Sequence, residues 1–241
     1  MTEVESIYRT AETVSYWTEP EEHDFYPLFP EYSRLERLAD GAIHVVGVLS
    51  GVVAVAVLIA VAAPHGDAWT LSSLAIYGAG MLAMFSCSAL YHLTRRPKLK
   101  TVFRRWDHAA IFLKIAGTYT PFVLLKLGGA LSVVLMSGVW IIALIGAPLQ
   151  LFAPALLARI GVWLYLGQGW LVVFALDPLT RSVSATAGAL VIAGGLLYTI
   201  GVVFHLWEKL PFSNAIWHFF VLVATFCFYG AILGDIALAQ G

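Results

Sequence analysis

The residues able to do chemistry sit at the lips of apolar runs. The stretch from Ser86 to Phe122, SCSALYHLTRRPKLKTVFRRWDHAAIFLKIAGTYTPF, closes one such run, crosses a basic segment and opens the next. Ser88 and His92 are four residues apart and so share a helical face. Asp107 and His108 open the run that follows, and Asn214 and His218 open the last one. Burying an ionisable group unpaired at a membrane boundary is costly, so each needs a partner. Imidazoles and a carboxylate at one depth in low dielectric read as a metal site, with zinc the natural ion. A catalytic zinc keeps a position open and lowers the pKa of its water to about 7. Asp107 would orient or deprotonate that water. Ser88 would bond either a substrate carbonyl or a metal ligand. The plainer alternatives are interfacial histidines, with Asp107 neutralising Arg104 or Arg105.

The elements that position these residues follow from composition. The chain has 241 residues, 60% hydrophobic and 12% charged, against about 45–50% and 25% in soluble domains. That excess implies an all-α, polytopic membrane protein, because apolar runs of spanning length must satisfy their backbone internally as helices. Seven runs are expected, at about 41–63, 70–93, 105–125, 130–150, 155–175, 185–206 and 215–238. Pro64–Asp67, Gly128–Gly129, Pro148 to Pro154, Asp177–Pro178 and Pro211 punctuate them. Gly188, Gly194, Gly195 and Gly201 in the sixth run predict close helix packing. Residues 1–38 form an acidic, aromatic-containing tail, and 39–241 the seven-helix transmembrane domain. No secretory signal is visible, and nucleic-acid binding is excluded because the basic cluster lies between apolar runs. Cys87 and Cys227 lie within apolar segments and read as buried thiols rather than a disulfide.

Charge placement orients the bundle. With the N-terminus in the cytoplasm, eleven Lys and Arg fall on inner segments and only Lys126 and Arg181 on outer loops. This places the N-terminus in and the C-terminus out, in the inner (cytoplasmic) membrane. His92, Asp107 and His218 then share the cytoplasmic end.

SALYHL, DHAAIFLKIAGTYTPF and AIWHFFVL, in this order across seven runs, resemble the haemolysin-III and adiponectin-receptor family over about residues 38–238. The resemblance implies a seven-helix fold with Zn2+ near the cytoplasmic face. It implies His92 and His218 as ligands, Asp107 acting on the water at the zinc, and Ser88 beside a ligand. One position departs from the pattern. The family's first histidine of the seventh helix falls on Asn214, a weaker ligand that also suits a helix cap, as does Ser213. His205 and His108 are substitutes for the missing imidazole, with His44 behind them. Lys114, seven residues after Asp107, lies on nearly the same face about 10 Å deeper. It is expected to face the bundle interior, near Thr118 or a water-filled cavity.

Three function classes remain. The resemblance favours a zinc-dependent intramembrane hydrolase of a lipid amide or ester, ceramidase-like, with a membrane lipid or fatty acid as partner. The Asn214 substitution favours a non-enzymatic receptor or membrane-state sensor with a structural or degenerate metal. A haemolysin-type pore-former comes third, because no run carries a regular polar stripe. The orientation has a direct test. Single cysteines at Lys98 and Gln240 should label from opposite sides of the membrane, and labelling from one side would overturn it.

Overall fold

A computed structural model describes residues 32–207 and 209–238. The expected tail therefore lies, through residue 31, outside the described residues. Seven helical segments are long and apolar enough to cross a membrane. They are α1 (Arg34–Ala62), α2 (Ala68–Leu93), α3 (Pro97–Lys126), α4 (Gly129–Phe152), α5 (Gly161–Ser182), α6 (Ala185–Leu206) and α7 (Ser213–Ala237). No strand occurs among the described residues.

The apolar runs mark these spans, but the helices overrun them at polar ends. Helix α1 begins at Arg34, because Ser33 and Glu36 form a reciprocal capping box there. Residues 34–38, read with the tail from their charge, are thus helical. Helix α3 starts at Pro97, whose ring suits the first helical turn. Most of the expected basic loop is therefore helix, and only Thr94–Arg96 separates α2 from α3. Outside the spans, Asp67 caps α2 by accepting the Thr70 N–H at 2.8 Å, and that bond holds its carboxyl below the ordinary range.

Asp177–Pro178, expected to end the fifth run, instead lies within α5. The helix tightens to a 3-10 turn over Leu171–Ala175 and resumes at Leu176, placing Pro178 in a new first turn where its missing N–H costs nothing. Such a break frees backbone groups that lipid cannot satisfy. Tyr119 of α3 meets them. Its hydroxyl accepts from Val172 N at 2.7 Å and donates to Gly169 O at 2.6 Å.

Helix α3 is the centre of the bundle and the most buried of the seven spans. It packs between α2 and α4, while α1 packs on α2 and α7, and α7 on α6. One apolar core joins Leu58, Leu74, Met81, Phe85 and Ile232. A second joins Phe112, Val123, Val139 and Ala147. Lipid-facing positions on α1, such as Leu49 and Val53, are exposed apolar residues, as a membrane solvent demands.

The glycines of α6 divide by environment. A Cβ at Gly194 would come within 2.7 Å of the Phe228 ring, and one at Gly201 within 2.9 Å of Phe220. Gly195, expected to pack closely, meets nothing within 4 Å. Gly194→Ala is therefore expected to destabilise the bundle by about 1–3 kcal/mol through overpacking. Gly195→Ala should stabilise it by about 0.5–1 kcal/mol by restricting the unfolded chain. Thermal unfolding of the two variants in one detergent compares them.

Candidate metal centre

Three helix ends meet at one end of the bundle: the start of α1, the end of α2 and the start of α7. Each delivers side chains from within about three turns of its terminus. Asp40 and His44, four apart, point from one face of α1. His92 comes from the last turn of α2, and His218 from the second turn of α7. Their ligating atoms all lie within 4.8 Å of one another. The three imidazoles pack as a unit, with centroids 4.7 Å apart for His44–His92 and 4.4 Å for both His44–His218 and His92–His218.

Asp40 is the hub. Its Oδ1 is 2.6 Å from His218 Nδ1, and its Oδ2 is 3.1 Å from His92 Nδ1. Asn214 donates its amide N–H to Asp40 Oδ2 at 3.3 Å and lies 3.1 Å from His92 Nδ1. Asp40, His44 and His218 are buried, and His92 nearly so. One polar atom of the cluster makes no hydrogen bond. His44 Nε2 is buried without a hydrogen bond, 3.6 Å from Asp40 Oδ2. A buried imidazole nitrogen left unsatisfied beside a carboxylate is poorly explained by packing and well explained by a cation. The Asp40, His44, His92 and His218 group could hold a metal ion.

A clasp sets the start of α1 against the start of α7. Glu36, one turn before Asp40, accepts Phe212 N–H on Oε1 at 2.9 Å and Ser33 N–H on Oε2 at 2.8 Å. Phe212 holds a left-handed backbone, φ 60°, immediately before α7. The carboxylate that caps α1 thereby also fixes the turn that launches Asn214 and His218.

The sequence-predicted residues separate into three positions. His92 and His218 are in the cluster. Asn214 borders it through its amide. The expected cap at Asn214 or Ser213 is not made: Phe212 is the N-cap of α7, without a side-chain bond, and the nearby carboxylate takes the Asn214 amide instead. Ser88 and Asp107 are buried and lie outside the cluster, with Asp107 in electrostatic range of His44 and Asp40. His108 is turned to Gln150 at 3.2 Å, and His205 packs on Trp217, so neither substitute joins the cluster. His44, ranked behind them, does.

Asp40 escaped the sequence reading altogether. The first apolar run is drawn from residue 41, which leaves Asp40 between the tail and the span. The signal was present in its spacing to His44, which matches that of Ser88 to His92. Lys114 does face the interior, bonded to the Tyr198 hydroxyl and 4.2 Å from the centre of that ring.

The sequence model described as Haemolysin-III related matches residues 33–229. The chain is 38% identical to the hemolysin-3 homolog of Bacillus subtilis (strain 168) over 82% of this chain and 93% of that protein. It is 36% identical to hemolysin-3 of Bacillus cereus, over 82% and 90% of the two chains. It is also 31% identical to the monocyte to macrophage differentiation factor of Homo sapiens, over 69% and 71%.

Asp40→Ala, His92→Ala and His218→Ala are each expected to weaken divalent-metal binding by at least about tenfold. Asn214→His should strengthen it by adding an imidazole. Metal content after dialysis against a graded chelator measures all four, and unchanged retention in the alanine variants would remove these residues from the site.

Proposed function

We propose, since the chain belongs to the haemolysin-III-related family, that it is a zinc-dependent membrane hydrolase of a lipid amide or ester. The observation that supports this most is the buried group of three imidazoles and a carboxylate, with the buried Asp107 in electrostatic range of it. His92, His218 and His44 would hold the ion, with His44 replacing the imidazole that Asn214 leaves out and a fourth position open to water. Imidazole and carboxylate donors suit zinc. A bound zinc supplies a polarised carbonyl and a water acidic enough to ionise near neutral pH.

The chain's own residues supply the rest. Asp107 takes a proton from the attacking water, and the Ser88 hydroxyl orients its carboxylate. Asp40, bonded to His218 and His92, fixes the orientation of both rings. Asn214 holds Asp40 in place. The cluster lies within about three turns of the helix ends, near the depth at which a lipid's amide or ester linkage sits. The positive-inside bias assigns this end to the cytoplasmic face of the inner membrane.

One observation favours a second reading, a non-enzymatic receptor or membrane-state sensor. Four donors from one chain can close a tetrahedral set, as structural zinc sites do. The ion would then fasten α1, α2 and α7.

Hydrolysis separates the two. Zinc-loaded protein in lipid vesicles is expected to release free fatty acid from a long-chain amide or ester. Asp107→Ala should lower that rate by about 10²–10⁴-fold with zinc still bound. Zinc-loaded protein that releases no fatty acid from a broad lipid panel would support the sensor.

A further inference from the structure

The residue that launches α7 is held in a conformation it resists. Phe212 has φ 60° and ψ 14°, and among the described residues it is the only non-glycine with a positive φ. A left-handed backbone brings Cβ against the following carbonyl oxygen, and a bulky residue seldom adopts it. No side chain caps α7 at this position. The Phe212 N–H is met instead from α1, where Glu36 Oε1 accepts it at 2.9 Å.

This strained residue stands where the metal centre meets water. Glu36 and Phe212 both line a cavity of about 40 Å³ that opens on the end of the bundle and reaches Asp40 and His92. One water needs about 10–15 Å³ of such space, so a few waters reach the cluster and a chelator does not. The Phe212 carbonyl accepts the Ile216 N–H at 2.9 Å and so starts the ladder of α7, two residues before Asn214 and six before His218. Helix α1 thus grips α7 twice, at positions one turn apart. Glu36 holds the Phe212 backbone, and Asp40 holds the His218 ring at 2.6 Å. When the first grip opens, Phe212 relaxes to a negative φ and the first turn of α7 rotates with it. His218 then shifts against His44 and His92, which ride on α1 and α2.

We propose that the Glu36–Phe212 contact is a strained latch that sets how long the metal centre keeps its ion. Glu36 is a positioning residue. Its hydrogen bonds go to Ser33 and Phe212 and none to the cluster, yet by holding Phe212 left-handed it keeps His218 in the donor set. Opening of the latch is the step at which the ion passes between the cluster and the aqueous end. The inference rests on the metal reading of the cluster.

Release kinetics test the latch. Protein loaded with cobalt in place of zinc, in detergent, is mixed with excess EDTA, and the decay of its visible absorption is followed. Glu36→Ala should speed the decay by about tenfold, the worth of a hydrogen bond to a charged acceptor. Phe212→Gly should slow it by about fivefold, because glycine takes this backbone without strain. Asparagine tolerates the left-handed region and β-branched valine resists it most, so the release rates at position 212 should rise in the order Gly, Asn, Phe, Val. In the Phe212→Gly background, Glu36→Ala should change the rate by less than about twofold, since the turn no longer needs holding. Ser33→Ala breaks the capping box but not the Phe212 contact, and should leave the rate within about twofold of wild type. Circular dichroism verifies the fold of each variant, and the position-212 series decides the matter even where Glu36→Ala fails to fold. A Phe212→Gly rate above wild type, a Phe212→Val rate below it, or a Ser33→Ala effect as large as that of Glu36→Ala overturns the latch while leaving the metal centre standing. Wild-type protein that gives no cobalt spectrum overturns the metal reading, and the latch with it.

Discussion

Asp40 imposes the constraint on which this end of the molecule depends. A carboxylate buried at the end of a membrane bundle is costly unless its oxygens are matched by donors. Asp40 obtains its donors from other helices: His218 and Asn214 of α7 and His92 of α2. Satisfying one side chain therefore requires three helix ends to converge. Because α1 and α7 are the first and last spans, the same requirement closes the bundle on itself. Glu36 reinforces the closure one turn away by tying the start of α1 to the backbone that launches α7.

The rest of the bundle obeys the same economy of polar groups. Lys114, Tyr198 and Thr225 link α3, α6 and α7 in the interior, with Tyr198 and Thr225 hydroxyls 2.6 Å apart. Gln168 of α5 donates to Phe112 O and Val139 O, joining α5 to α3 and α4. At the end opposite the cluster, Asp235 of α7 accepts the Ser184 N–H that opens α6 and lies 3.5 Å from Lys126 of α3. The two ends are thus fastened by carboxylates with different partners. Imidazoles surround Asp40, which makes a metal centre feasible. A lysine and a backbone amide meet Asp235, which makes a plain structural lock.

The seven spans were legible in the sequence because lipid leaves an apolar run of that length no choice but a helix. His92 and His218 were legible for a related reason, since polar residues at the edges of such runs stand out against their surroundings. Helix ends were less so. Hydropathy stops at the last apolar residue, whereas the helix stops where its caps are satisfied, so Ser33 with Glu36 and Pro97 moved two starts outward. Asp177–Pro178 looked like a boundary, yet a tyrosine on another helix made an internal break tolerable.

What the sequence determined by itself was the fold class, the family to which the chain belongs, and the end of the bundle where polar chemistry collects. These depend on composition and on spacing along one segment. Only the tertiary structure decided the membership of the cluster. Asp40 lies more than fifty residues from His92 and far from His218 in the chain. Whether it reaches them depends on which helices are neighbours and how each is rotated. The same is true of Asn214, which sequence made either a cap or a weak ligand and packing turned toward a carboxylate. Local periodicity carries no information about rotation between helices, because that is set by close contacts such as Gly194 on Phe228 and by the pairing of buried charge.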